Sequence, residues 1–514
     1  MQTNPQDAES SEPGRQRFGR AAGRGFSWMS LSLLLGKVFI FSAQIVLGWI
    51  LTHEEFGVLM IVAGVAACIQ IFHDGGVPQV IVQRGSDAFE RLQGAAFWIC
   101  LGVSLFAGVV LGAVAPVIAE YYDDERLVSL LRVLAITLPL AAPAAMLRAK
   151  LQIDLRFRTI SFMAVGKFAV RSIGMIVLAW LGYGVMCFVI PLVFVAVFEF
   201  VFTFLATRAT PWMHPPRFAH WPALVRDSYW VVCAAVFKGL ARNGDYLVLG
   251  RMLPIALVGP YFFAYLWTTQ ITGLLALNLR HVLFPVMTKM VGDPARQASA
   301  IVRTIRLLIL VAAPASMLIV VTIRPLESLI WHGKWVVAVP LMQIFALVSP
   351  ILIFTDISHA ALTALGRFRL SACLTLAEAI WLLASAWFAA VVAGNNIIGV
   401  AIWIIGLRIA YTLVVNALVL GTFGITVRQY LAAFLPQWLV ALTAAGGTVL
   451  VGQFLPDDTA SIAQVVVLAL TFVAMFAVLA RLLLGSQLEQ FAKVAPGPVG
   501  VAVHRIFWLP PSAE

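Results

Sequence analysis

Apolar runs long enough to cross a lipid bilayer follow one another along nearly the whole chain. A span needs about 20 mostly apolar residues. About fourteen such runs are legible, at roughly 27–51, 57–80, 94–119, 128–149, 160–181, 184–206, 228–250, 258–279, 304–323, 338–360, 371–393, 397–420, 431–454 and 461–484. In lipid, every backbone N–H and C=O must find its partner inside the element, so runs of this length are helices. Residues of hydrophobic type make up 61% of the chain and charged residues 11%. With a mean hydropathy of +0.94, this composition excludes a soluble fold. The expected fold class is an all-α polytopic membrane protein. The connecting loops are short and leave no room for a separate soluble catalytic domain.

The basic residues divide by loop. Of the 35 lysines and arginines, 24 fall at the ends or loops on the side of the two tails, and 4 on the other. The opposite loops are acidic instead: Glu54-Glu55, Glu120, Asp123-Asp124-Glu125 and Asp457-Asp458. Loops rich in Lys and Arg stay in the cytoplasm. The pattern therefore predicts both termini cytoplasmic. It also accounts for the formal charge of +11 without any nucleic-acid partner. Residues 1–26 are polar and arginine-rich, with no apolar core before a cleavage site, and read as a disordered cytoplasmic tail. Residues 485–514 read as a second cytoplasmic tail. The five cysteines all lie within runs and read as small packing residues.

Two halves of the chain look alike. Ser27 leads to Lys37 and then to Phe56-Gly57; Ser228 leads at the same spacing to Lys238 and then to Val258-Gly259. Arg156-Phe157-Arg158 recurs as Arg367-Phe368-Arg369. Six helices separate each pair, so the two copies keep the same orientation. That predicts two six-helix lobes related by a parallel pseudo-two-fold axis around a central cavity. The lobes are residues 27–206 and 228–420, joined by a basic, proline-rich cytoplasmic linker at 207–227, with two added helices within 431–484.

Seven basic residues sit inside the apolar runs: Lys37, Arg132, Lys167, Arg171, Lys238, Arg242 and Arg408. Each costs roughly 2.5–3.5 kcal/mol at the centre of a span unless it meets a partner, water or an anion. Four acids lie with them, Glu199, Asp245, Asp356 and Glu378, besides Asp74 near the end of the second run. The cationic excess suits an anionic substrate. Lys37 and Lys238 lie about ten residues into their runs, near mid-bilayer at ~1.5 Å per residue. Arg242 is one turn beyond Lys238, and Lys167 and Arg171 are one turn apart. These five are the candidate substrate-binding residues. The alternative is internal pairing: Arg242 with Asp245, Lys238 with Glu199 or Glu378, Lys167 or Arg171 with Glu199, and Arg408 with Glu378. Asp245, Glu199, Glu378, Asp356 and Arg408 are the candidates for coupling to H⁺ or Na⁺, or for permanent ion pairs. Arg132 reads as an interfacial anchor beside the acidic loop. His73-Asp74-Gly75-Gly76 reads as a helix end whose glycines permit a turn. Prolines 116, 139, 143, 191, 314, 340 and 350 mark expected kinks.

No phosphate-binding GxxxxGK[ST] loop, HExxH pair, zinc-spaced Cys/His cluster or GxSxG elbow is present. No catalytic residue, metal or cofactor is expected, and a transporter is the better reading than an enzyme.

Particular stretches carry a resemblance. Asn243-Gly244-Asp245-Tyr246-Leu247-Val248-Leu249-Gly250-Arg251, followed by Val258-Gly259-Pro260-Tyr261-Phe262-Phe263-Ala264, resembles helices seven and eight of Wzx-type polysaccharide flippases. These belong to the multidrug/oligosaccharidyl-lipid/polysaccharide (MOP) exporter superfamily. Glu55-Phe56-Gly57 leading to Asp74-Gly75-Gly76-Val77-Pro78 is similar to the family's first hairpin. Leu283-Phe284-Pro285, Gly333-Lys334-Trp335 and Ala361-Leu362-Thr363 fit in order. The resemblance covers roughly residues 27–420. It implies two six-helix lobes and movement of undecaprenyl-diphosphate-linked oligosaccharides between leaflets for O-antigen, capsule or exopolysaccharide synthesis, by ion-coupled alternating access. The polymerase and glycosyltransferases of the same pathway would be partners, alongside membrane lipids. Three rival readings are a lipid II flippase, a MATE-type cation antiporter and, from another class, a membrane glycosyltransferase or polysaccharide polymerase. The rich cationic interior argues against the antiporter, and the short loops argue against the last.

Overall fold

The computed structural model of the chain describes residues 12–269, 293–454 and 462–494, and every regular element among them is helical. The helices are α1 Glu12–Ile50, α2 His53–Ile69, α3 Val77–Arg84, α4 Ser86–Tyr122, α5 Arg126–Ile153, α6 Phe157–Trp180, α7 Ile190–Thr207, α8 Trp221–Met252, α9 Ile255–Thr269, α10 Pro294–Trp331, α11 Ala338–Ala364, α12 Phe368–Ala393, α13 Ile397–Gly421, α14 Val427–Gly452 and α15 Ile462–Val494. Eleven of the described helices are long and apolar enough to cross a membrane.

The other three expected spans differ for separate reasons. The run at 57–80 is a helix, a turn and a second helix. Gly75 and Gly76 both take left-handed backbone, with φ of 59° and 72°. The Asp74 carboxylate accepts the Gly76 N–H at 3.0 Å and the Gln79 amide at 3.3 Å, which fixes the turn where the sequence signalled it. The run at 228–250 belongs to α8, which is long enough but carries Arg226, Asp227, Lys238, Arg242, Asp245 and Arg251. The run at 258–279 is helical to Thr269, and its remainder lies outside the described residues, as do Leu283-Phe284-Pro285 and Asp457-Asp458.

The helices overrun the apolar runs. The expected disordered tail is helical from Glu12, with Pro13 in the first turn where its missing N–H costs nothing. Helix α15 continues to Val494, beyond the expected 484, through non-helical backbone at Leu484. Of the expected kinks, Pro191 and Pro340 sit in the first turns of α7 and α11, whereas Pro116, Pro139, Pro143, Pro314 and Pro350 are interior.

The chain divides into two compact units, Met1–Gly239 and Leu240–Glu514. In the first unit, α1 packs along α6, α4 along α5, and α5 against α7. Small residues let these helices close up. A Cβ on Gly36 would lie 2.4 Å from the Phe168 ring, and one on Gly108 would lie 2.7 Å from the Ala135 carbonyl oxygen. The linker binds α4 the same way: Gly94 faces the Pro215 carbonyl, and the Trp98 indole N–H donates to the His214 carbonyl at 3.3 Å.

In the second unit, α10, α11, α13, α14 and α15 share one core, centred on Phe354, Tyr430, Phe434 and Phe472. The last two helices are therefore integral to this unit. Gln437 and Gln487 join α14 to α15 through a side-chain hydrogen bond, and a full capping box between Thr426 and Gln429 starts α14.

The outer surface is apolar. Phe106 is 71% exposed and Leu482 73%. An apolar outer surface of this kind suits contact with lipid. Trp180 ends α6 and is 82% exposed, as interfacial tryptophans are.

The two sequence copies at 156–158 and 367–369 start their helices in the same way. Arg156 is the N-cap of α6 at φ −80°, ψ 55°, and Arg367 is the N-cap of α12 at φ −80°, ψ 52°. Each follows a left-handed residue, Leu155 at φ 53° and Gly366 at φ 71°.

Candidate functional site

The first unit holds a charged cluster within its helices. Glu199 of α7 is buried, and its two carboxylate oxygens accept from different helices. Arg148 Nη1 of α5 donates to Oε1 at 2.5 Å, and Lys167 Nζ of α6 donates to Oε2 at 2.5 Å. One carboxylate thus neutralises one of its two cationic neighbours, and a positive charge remains. His73 lies within electrostatic reach of the same carboxylate. A buried carboxylate held by two donors fixes three helices in register.

Arg171 lies one turn beyond Lys167, near the middle of α6. It is exposed and makes no hydrogen bond or ion pair among the described residues. Lys37, half-buried, stands next to the Gly36–Phe168 contact, so it shares a level with Lys167 on α6. Lys37, Lys167 and Arg171, three of the five expected cations, therefore lie within about one turn of one another along the packed α1 and α6, a cationic level in the first unit. The other two, Lys238 and Arg242, are both exposed on α8.

The second unit holds a separate polar network. Asp245 is 2% exposed, and its Oδ2 accepts the Tyr261 hydroxyl at 2.8 Å. Arg242 makes no ion pair with it; the α9 tyrosine takes that place. Arg408 sits within electrostatic reach of Tyr265, Glu378 and Asp245. The Glu378 carboxylate stands 4.0 Å from the His359 imidazole, and His359 Nδ1 meets the Ser371 hydroxyl at 2.9 Å. Asp356 is exposed. Arg132 is exposed on α5, while Arg126 is the residue that grips the acidic loop, donating to Asp124 at 2.7 Å.

Sequence reasoning missed three participants. Arg148 lies near the end of its run, where a basic side chain reads as part of the loops. Glu327, 1% exposed, accepts the Trp335 N–H at 2.7 Å and closes the turn after α10. Asp74 is 1% exposed. Both acids lie at run ends, where side chains are normally read as solvated. No group of three His, Cys, Asp or Glu is placed to hold a metal among the described residues.

A bundle of long apolar helices with charge clusters buried in both units is the architecture of a multi-pass membrane transporter. The profile described as "Polysaccharide biosynthesis protein" matches residues 46–340, more than half of the chain, and the protein belongs to that family. The chain is 24% identical to the teichuronic acid biosynthesis protein TuaB of Bacillus subtilis, over 68% of this chain and 72% of the relative. It is 21% identical to the succinoglycan biosynthesis transport protein ExoT of Rhizobium meliloti, over 64% and 66%. It is 22% identical to the lipopolysaccharide biosynthesis protein WzxC of Escherichia coli, over 63% and 66%. Among solved structures, the lipid II flippase MurJ in an inward closed conformation aligns with a TM-score of 0.68. It covers 89% of this chain and 99% of its own at 12% identity, which establishes a shared fold. An inward-facing MATE transporter of the MOP superfamily aligns at 0.58 over 77% of this chain and 99% of its own, at 15% identity. The fold is shared with MOP-superfamily transporters, and the protein is a multi-pass membrane protein of the polysaccharide biosynthesis family.

Proposed function

We propose that this protein flips undecaprenyl-diphosphate-linked oligosaccharide repeat units from the cytoplasmic to the periplasmic leaflet of a bacterial inner membrane, feeding surface polysaccharide synthesis. The observation that carries this reading is the cationic level of Lys37, Lys167 and Arg171. Arg171 in particular is a mid-helix guanidinium, exposed and outside any ion pair among the described residues. An isolated cation at that depth calls for water or an anion, and a diphosphate supplies paired oxygens for a guanidinium fork. Lys238 and Arg242 on α8 are the further candidate contacts for the diphosphate. The sugars travel in water, and the polyprenyl tail stays in lipid.

Two six-helix lobes in parallel repeat, with residues 207–227 as linker, would alternate access around that site. The matched N-caps of α6 and α12 support the repeat. Asp245 is the acid best suited to exchange H⁺ or Na⁺: it is buried, tied to Tyr261 and near Arg408, so its charge state bears on a packed network. Glu199 reads as a structural neutraliser. The polymerase and glycosyltransferases of the pathway are the natural partners, since they consume and supply the flipped lipid.

The test is a strain lacking this gene. Its lipid extract should contain an undecaprenyl-diphosphate oligosaccharide protected from periplasmic enzymes, and one surface glycan should be lost. An unchanged lipid-linked pool with new sensitivity to cationic drugs would transfer the protein to the antiporters. Accumulated lipid II would assign it to that flippase class instead.

A further inference from the structure

A second polar site lies in the first unit, away from the cationic level. The last turns of α3 and the start of α8 enclose a cavity of about 690 Å³ lined by Gln79, Gln83, Arg84, Arg226, Asp227 and Trp230, with Val80 and Val231 beneath. Ligand pockets generally span about 300–1,000 Å³. Gly76 creates the close approach that shapes it: a Cβ there would meet the Val231 side chain at 3.1 Å. Arg84 of α3 and Asp227 of α8 form an ion pair across it, and Arg226 Nε stands 3.8 Å from the same carboxylate.

We propose that this cavity binds the glycan head of the transported lipid, holding sugars while the diphosphate occupies the cationic level. The proposal rests on the lipid-linked oligosaccharide reading above. Gln79 and Gln83 are one turn apart on one face of α3. Their amides, with the Arg84–Asp227 pair, offer planar donors and acceptors to neighbouring sugar hydroxyls. Trp230, 71% exposed, offers a flat ring to the C–H face of a pyranose. A free phosphate is a poor occupant. The Asp227 carboxylate would repel it, and the Arg84 guanidinium is already engaged. An acyl chain is poorer still against two amides and three charged groups. The cavity sits beside Arg84 and Arg226, on the side the basic loops assign to the cytoplasm, where the glycan is assembled.

The experiment uses the full chain in lipid nanodiscs. The oligosaccharide released by mild acid from the lipid-linked pool of the deletion strain is titrated calorimetrically. Wild type should bind saturably. Trp230→Ala and the double change Gln79→Ala/Gln83→Ala should each weaken binding by roughly tenfold. Trp230→Phe, which keeps an aromatic face, should stay within about threefold, and inorganic pyrophosphate should not displace the sugar. Absence of saturable binding to wild type, wild-type affinity in both weakened variants, or displacement by pyrophosphate would each overturn the site. Each variant's elution as a monodisperse particle guards against misfolding; should Trp230→Ala fail it, the glutamine variant decides. If the deletion strain accumulates no such pool, the flippase reading itself falls. If the pool accumulates and the variants bind normally, only this site falls.

Discussion

At the scale of single residues, the buried charges separate into two kinds, and substitution distinguishes them. Glu199 is held by Arg148 and Lys167 and is buried. Removing one member of such a set leaves charges with no compensation, at a cost of about 3–5 kcal/mol. Glu199→Ala should therefore lower the amount of folded protein in the membrane, measured by quantitative blotting, and adding Lys167→Met should recover part of it. Arg171→Ala should behave in the opposite way. Deleting a costly cation eases insertion, so abundance should hold while complementation of glycan export is lost. Lys37→Ala, at a cation that already has a partner, should lose export as well. Full complementation by both would exclude the cationic level as the anion site. Asp245→Asn keeps an oxygen for the Tyr261 hydroxyl but loses the charge. Export should fall by at least about tenfold with abundance near normal, as expected of a group that must ionise during the cycle. The sequence offered Lys167, Arg171 and Lys238 as alternative partners of Glu199 and had nothing to choose among them. It hid Arg148, because a basic residue near a helix end looks the same whether it snorkels to water or turns inward.

At the scale of elements, hydropathy found apolar helices and failed where charge or backbone intervened. Helix α8 was legible as an apolar run at 228–250, but its six charged residues keep it out of the helices apolar enough to cross a membrane. The break between α2 and α3 was legible from Asp74-Gly75-Gly76, because left-handed backbone at successive positions favours glycine. The lengths of α1, α4 and α15 were not legible, since polar residues continue a helix past the bilayer without any apolar signal. Close helix packing was also hidden. Gly108 reads as one more glycine in an apolar run, but it lies against the Ala135 carbonyl of α5. Gly108→Leu must separate α4 from α5. Overpacking of this kind costs about 1–3 kcal/mol, and thermal inactivation of the detergent-purified variant should occur several degrees lower. Unchanged thermal inactivation would mean that α4 and α5 part more easily than the packing implies.

At the scale of the whole molecule, charge and substrate point the same way. Lys and Arg crowd one set of loops, 24 against 4, and the acidic segments crowd the other. The same asymmetry puts Arg84 and Arg226 of the proposed glycan cavity at the basic end. A cytoplasmic basic end would place that cavity where the lipid-linked glycan is made, and the diphosphate would then be drawn toward cations deeper in the span. Orientation is thus a condition of the mechanism as well as of insertion, and it can be measured separately from transport. Alkaline phosphatase inserted in the linker between Arg208 and Arg217 should be inactive, and a fluorescent protein at that position should mature. Phosphatase inserted beside Asp123-Asp124 should be active. The opposite pattern would leave the fold intact but turn the glycan cavity toward the periplasm. The cavity could then act only as a release site, and the sequence of sugar capture followed by diphosphate capture would have to be reversed.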